Sequence, residues 1–127
     1  EWFGWSDDDV SDDLWNLRVS TQKTIVYRPR NCEVSIYEQL DDTWALVTRG
    51  SNAAVDAILY GVPVVLSVDS RCISSPLANR GMVDDQVYVP SDTDRHQWLC
   101  GLAWCQFTVQ ELSTKFAWSH ITERLEK

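Results

Sequence analysis

The segment Thr48-Arg49-Gly50-Ser51-Asn52-Ala53-Ala54-Val55-Asp56 carries the residue types and order best suited to chemistry in this chain. A strand end is followed by a glycine that permits a sharp turn, and small residues then open a helix. The first amides of a helix lack intrahelical partners and point outward, and the helix dipole favours negative charge there, so the natural ligand is a phosphate. The small side chains of Ser51, Asn52 and Ala53 would let a phosphate approach the backbone. Asp56, about one turn further along, could accept hydrogen bonds from ribose hydroxyls. The bland alternative is a capped helix start with no ligand, because the segment is neither a GxGxxG nor a Walker motif.

A second basic cluster, Arg28-Pro29-Arg30, ends the run Thr24-Ile25-Val26-Tyr27. Arginine offers bidentate, charge-assisted contacts to phosphate. The alternative is a surface pair neutralised by neighbouring carboxylates. His96 and His120 stand in no nucleophile or metal-ligand spacing and are expected on helix surfaces. Ser74-Ser75 and Asp84-Asp85 have no recognisable context.

These groups need a scaffold, and hydrophobic periodicity predicts one. Val10, Leu14 and Leu17 recur at helical spacing, giving a helix over about 7–19 with Ser6 as its cap. Residues 24–28 are β-rich and predict a strand ending at Pro29, and a short helix is expected from Val34 to Leu40. Residues 44–48 and 64–68 are continuous apolar runs of the kind buried on both faces in a parallel sheet. Between them, Ser51 is expected to cap a helix with an apolar face of Ala54, Val55, Ile58 and Leu59, closed by Gly61. The result is a compact βαβ unit. Residues 69–85 predict a loop with one helical turn near Leu77, and 86–90 a short edge strand closed by Pro90. Ser91 or Asp92 caps a helix carrying Trp98, Leu99 and Leu102, and Thr108-Val109-Gln110-Glu111 reads as a capping box that opens the last helix.

The expected fold is therefore α/β and partly Rossmann-like: three to four mostly parallel strands flanked by helices, with two helices at the C-terminus. In such a sheet ligands gather beyond the carboxyl ends of the strands. The chain of 127 residues is expected to be a single domain. It opens on Glu1-Trp2-Phe3-Gly4-Trp5 without an initiator methionine, which suggests a fragment or one half of a larger two-domain enzyme.

Composition narrows the partners. A net charge of −8 opposes nucleic acid and anionic membranes, so an anionic ligand needs a local site that works against the global field. The acid run Asp7-Asp8-Asp9 reads as a solvated helix start, stabilised by the dipole, rather than a divalent-metal site. No metal and no cofactor are expected. Cys32, Cys72, Cys100 and Cys105 form no Cys-x-x-Cys pair, and free thiols fit a reducing cytoplasm. No membrane-length apolar run is present. Seven tryptophans favour packing corners and interfaces, including a Trp-rich surface for a homo-oligomer.

Residues 44–68, WALVTRGSNAAVDAILYGVPVVLSV, resemble part of the C-terminal, donor-binding domain of two-domain nucleotide-sugar glycosyltransferases of the phage and capsular-polysaccharide type. Ile25-Val26-Tyr27-Arg28-Pro29-Arg30 is similar to a strand of those enzymes that ends in Arg-Pro and a basic residue. The tail from Asp94-Arg95 through Trp118 is similar to the end of the phage-type members. The resemblance implies that Gly50, Ser51, Asn52 and Ala53 bind the diphosphate of a nucleotide-sugar donor and that Arg28 and Arg30 contact phosphate. It gives Asp56 the ribose or sugar hydroxyls, where relatives usually carry Glu. Arg49 stands where a neutral residue is expected, and its role is open. The acceptor domain, which usually supplies the catalytic base in such enzymes, is not in this chain. The alternative is a stand-alone, small, phage-derived α/β interaction protein without catalysis. A third option, a sugar-nucleotide epimerase, needs the same second domain.

Overall fold

The computed structural model describes residues 7–29, 31–67, 72–81 and 86–125, with backbone alone at 7–10, 121 and 124–125. The predicted cap Ser6, Trp2, Trp5, Arg30, Val68 and Asp84-Asp85 lie outside the described residues. The chain divides into two compact units, residues 1–95 and 96–127.

The first unit is α/β. In chain order it holds α1 (Asp7–Ser20), α2 (Ile36–Leu40), β1 (Leu46–Thr48), α3 (Ala53–Tyr60), β2 (Val64–Leu66), a single 3-10 turn (Ser75–Leu77) and β3 (Asn79–Arg80). The three strands form one parallel sheet in the order β1-β2-β3. Leu46, Val47 and Thr48 pair with Val64, Val65 and Leu66. β2 is central, and Val64, Val65 and Leu66 are all at most 1% exposed. A strand covered on both faces has no use for polar alternation, which is why this run is apolar throughout. α3 packs on both β1 and β2 and also on α2. It does so through Ala54, Ala57 and Ile58, which share one face at i, i+3 and i+4 spacing and are fully buried. Each large aliphatic side chain hidden here contributes about 1.5–3 kcal/mol of hydrophobic stabilisation. α3 ends where expected, at Gly61 in the left-handed conformation (φ 90°).

Three expected elements of this unit come out differently. Residues 24–28 form no strand. Val26 and Tyr27 are 74% and 56% exposed, and the segment is tied down by side chains instead: Lys23 lies over the Trp44 ring, and Arg28 reaches α2. β propensity supplies no ladder where no strand edge is offered. Residues 86–90 likewise form no strand. The amide side chain of Asn79 takes the place of a strand there. It donates to the Tyr88 and Val64 carbonyls (2.9 and 3.1 Å) and accepts from the Tyr88 amide (2.8 Å). The third strand is thus Asn79–Arg80, within a stretch expected to be loop.

α4 (Asp92–Trp104) spans the boundary between the units. Ser91 caps it, accepting from the Asp94 amide and donating to the Asp94 carboxylate. The second unit continues with α5 (Val109–Leu112) and α6 (Lys115–Leu125). The predicted capping box is present, Thr108 accepting from the Glu111 amide and Glu111 from the Thr108 amide. The single last helix expected from it is divided in two. The hydroxyls of Ser113 and Thr114 donate back to the Gln110 and Glu111 carbonyls (both 2.6 Å), competing with the helical ladder. His120 is half-buried rather than on the surface. Its ring is ringed by Trp104, Phe107 and Phe116, with Nε2 buried and unpartnered.

Candidate functional site

The β1–α3 turn stands at the carboxyl end of β1, and its first three residues, Gly50, Ser51 and Asn52, are exposed. Gly50 has φ 145°, a backbone conformation that L side chains rarely adopt, so glycine suits this position. Ala53 is half-buried and Ala54 fully buried, which seats the helix start on the sheet. The amides here are mostly engaged. The Thr48 hydroxyl accepts from the Gly50 and Ser51 amides (3.2 and 3.0 Å). The Ser51 hydroxyl accepts from the Ala53 amide (3.3 Å), and the Ala54 and Val55 amides bond to the Ser51 and Asn52 carbonyls. The N-cap is Asn52, one residue later than expected, and its side chain makes no capping bond.

The other predicted residues are divided. Arg28 donates to Gln39 Oε1 (2.5 Å) and to the Val34 carbonyl (2.8 Å), which ties its loop to α2. Asp56 accepts from the Tyr37 hydroxyl of α2 (2.9 Å), and that carboxylate holds the Tyr37 phenol above its ordinary value, through the bond first and through its charge second. Tyr37 packs beside Tyr60, whose hydroxyl bonds Asp41. So Gly50, Ser51, Asn52 and Ala53 come together in one turn, while Arg28 and Asp56 are each engaged with α2. Arg30 lies outside the described residues.

No family model, curated protein or solved structure matches this chain.

Two groups were not singled out from the sequence. The first is at the carboxyl edge of the sheet. Arg49, the residue after β1, makes a two-pronged ion pair with Asp13 of α1, Nε to Oδ2 at 2.5 Å and Nη2 to Oδ1 at 2.9 Å. Ser67, the residue after β2, donates to the same Asp13 Oδ2 (3.1 Å). The Ser67 amide bonds the Thr48 carbonyl, which holds the two strand ends side by side. Only an arginine just before the turn glycine hinted at this in the sequence. Its partner is 36 positions away.

The second is Cys72-Ile73-Ser74-Ser75. The Cys72 sulfur lies 3.1 Å from Ser74 Oγ and accepts from Ser75 Oγ at 3.4 Å. The Cys72 amide donates to Ser75 Oγ (2.7 Å). Burial pushes this thiol up, but the two hydroxyls and the Ser74 and Ser75 amides outweigh burial and hold it below its ordinary value. Cysteine reactivity follows the thiolate fraction, so this is the thiol primed by its surroundings.

A shallow groove of about 320 Å³ on the second unit is lined by Ser113, Thr114, Lys115, Trp118, Ser119 and Thr122, and contains none of the predicted site residues. Among the described residues no group of three or more His, Cys, Asp or Glu is gathered to hold a metal ion, and no helix is long and apolar enough to cross a membrane.

Proposed function

We propose that this chain is the donor-binding part of a nucleotide-sugar glycosyltransferase, with the diphosphate of the donor received at Gly50-Ser51-Asn52-Ala53. One observation carries this reading. An exposed turn of small residues opens a helix at the carboxyl end of a strand in an all-parallel sheet, the edge where such sheets hold ligands. The Asn52 amide has no partner among the described residues. The Gly50 and Ser51 amides are held by a neutral hydroxyl, which a phosphate oxygen, as a charged acceptor, would replace with stronger bonds. During sugar transfer the diphosphate departs with negative charge, and turn amides exchanged from the Thr48 hydroxyl to the phosphate would stabilise that charge.

Phosphate contact by Arg28 and hydroxyl contact by Asp56 would require each to leave its present partner, Gln39 and Tyr37 respectively. The reading therefore centres on the turn. A catalytic base would come from an acceptor domain outside this chain. None of the four cysteines is in a disulfide, which supports a cytoplasmic location. Calorimetric titration with UDP, GDP and CMP tests the proposal. Binding of one of them, weakened by Ser51→Pro with its bulkier turn, is the expected result. A folded sample that binds none of the three defeats it.

Exposed aromatic rings favour a second reading, an interaction protein without catalysis. In the second unit Trp104, Phe116 and Trp118 are 61%, 66% and 61% exposed. Large apolar surfaces left to water commonly serve partners. Concentration-dependent self-association in sedimentation runs, alongside null nucleotide titrations, would support this reading over the first.

A further inference from the structure

We propose that Arg49 and Ser67 form an oxyanion site at the carboxyl ends of β1 and β2, that Asp13 fills it as an internal stand-in, and that a phosphate-bearing ligand competes with α1 for it. The proposal rests on the reading of the carboxyl edge as the ligand edge, and it adds both a residue set and a means of control.

The argument starts from register. Thr48 pairs with Leu66, so the next residues, Arg49 and Ser67, emerge together at one end of the sheet. Neither can be placed there by sequence spacing, since the whole βα crossover separates them. Their side chains meet at the Asp13 carboxylate: two guanidinium nitrogens on its two oxygens, and a hydroxyl on one of them. The planar guanidinium fork fits carboxylate and phosphate alike, because both present two oxygens at similar separation. The carboxylate held there is thus direct testimony to what the cradle accepts. Arg49 and Asp13 are largely shielded, their side chains 17% and 22% exposed. In a chain of net charge −8 such a shielded cationic cradle is where an anion finds attraction that the global field denies it.

Asp13 belongs to α1, which reaches the sheet edge from the far end of the sequence. A carboxylate carries one charge and two oxygens. A phosphate group carries more of both, and can engage Arg49 and Ser67 together. Binding would release Asp13 and with it the hold of α1 on the sheet edge. Affinity for the ligand is then reduced by the fraction of molecules in which α1 is docked. In this way α1 would set the threshold of ligand concentration at which the edge opens.

Inorganic pyrophosphate is the probe, titrated calorimetrically into the full chain. Asp13→Asn keeps the shape of the side chain and removes its charge. It should bind pyrophosphate about fivefold or more tightly than the wild type, the gain expected when a competing docked state is removed. Adding Arg49→Gln should abolish that gain. In the wild type, saturating pyrophosphate should speed amide hydrogen exchange across residues 13–20. A folded Asp13→Asn variant that binds no tighter overturns the proposal. If that variant does not fold, the exchange measurement decides: unchanged exchange of α1 at saturating pyrophosphate, or no pyrophosphate binding at all, overturns it equally. UDP, GDP and CMP run in parallel separate this from the donor reading. Pyrophosphate gain without nucleotide binding would uphold the oxyanion site and remove the nucleotide. Nucleotide binding indifferent to Asp13→Asn would do the reverse.

Discussion

A double-mutant cycle on Asp13 and Arg49 puts a number on the tether between α1 and the sheet edge. The pair is two-pronged, with side chains 22% and 17% exposed, so it lies between two known regimes. Fully exposed pairs contribute about 0.2–1 kcal/mol. Removing one partner of a fully buried pair costs about 3–5 kcal/mol. Arg49→Gln leaves a mostly shielded carboxylate with Ser67 as its remaining donor from this cluster, and should cost α1 about 2 kcal/mol, between those limits. Asp13→Asn should cost less, about 1 kcal/mol, because a long arginine stem can carry its head to water. The double variant should lose little beyond the larger single loss, giving a coupling of about 1 kcal/mol. The assay must read α1 itself, since a chain of two units need not unfold in one step. Amide hydrogen exchange of residues 11–20 does so, because protection reports the free energy of local opening. Coupling below about 0.3 kcal/mol, which is additivity within error, would refute the tether. Raising the salt should weaken the coupling only in part, as expected for a pair mostly withdrawn from solvent.

Three further outcomes follow from the same structure. Gly61→Ala should destabilise the first unit by about 1–2 kcal/mol, the cost of a left-handed conformation for a residue with a Cβ. That Cβ would also lie 2.8 Å from Arg95 Nη1, but a flexible side-chain end can move, so an Arg95→Ala background should change the loss little; unaltered thermal unfolding would contradict the assignment of φ. Alkylation of Cys72 by iodoacetamide should reach its half-maximal rate at a pH below that of an ordinary thiol, and Ser74→Ala with Ser75→Ala should move it upward. A Cys72 profile insensitive to both serines would count against the hydroxyl contacts. Glu111 is held below the usual carboxylate range by the Thr108 amide first and the Thr108 hydroxyl second. Because its folded value is the lower one, its support for α5 is complete above the unfolded value and disappears as pH falls through the folded one. Acid titration by NMR should show α5 fraying in that window, and Glu111→Gln should remove the pH dependence while keeping most of the box.

The local pieces of this protein were written in short stretches of sequence. Apolar runs at 46–48 and 64–66, the i, i+3, i+4 face of α3, Gly61 at its end and the Thr108–Glu111 box all act within one element or between its immediate neighbours. Propensity and periodicity therefore sufficed for them, and for the turn at Gly50. Residues 24–28 had the same β-rich composition as a strand yet found no edge to pair with, because pairing depends on what lies alongside and not on the segment. Asn79 and Arg80 form a strand with no pattern of their own, since β2 offers its free side to them. Similarly, Asp56 and Arg28 were legible as polar groups near a ligand edge, but α2 claimed both. The Asp13–Arg49–Ser67 cluster joins positions from three separate segments. Its existence depends on parallel register bringing two strand ends together and on a distant helix supplying the charge between them. Such long-range pairing energies belong to the assembled chain and leave no periodic trace in the order of its residues.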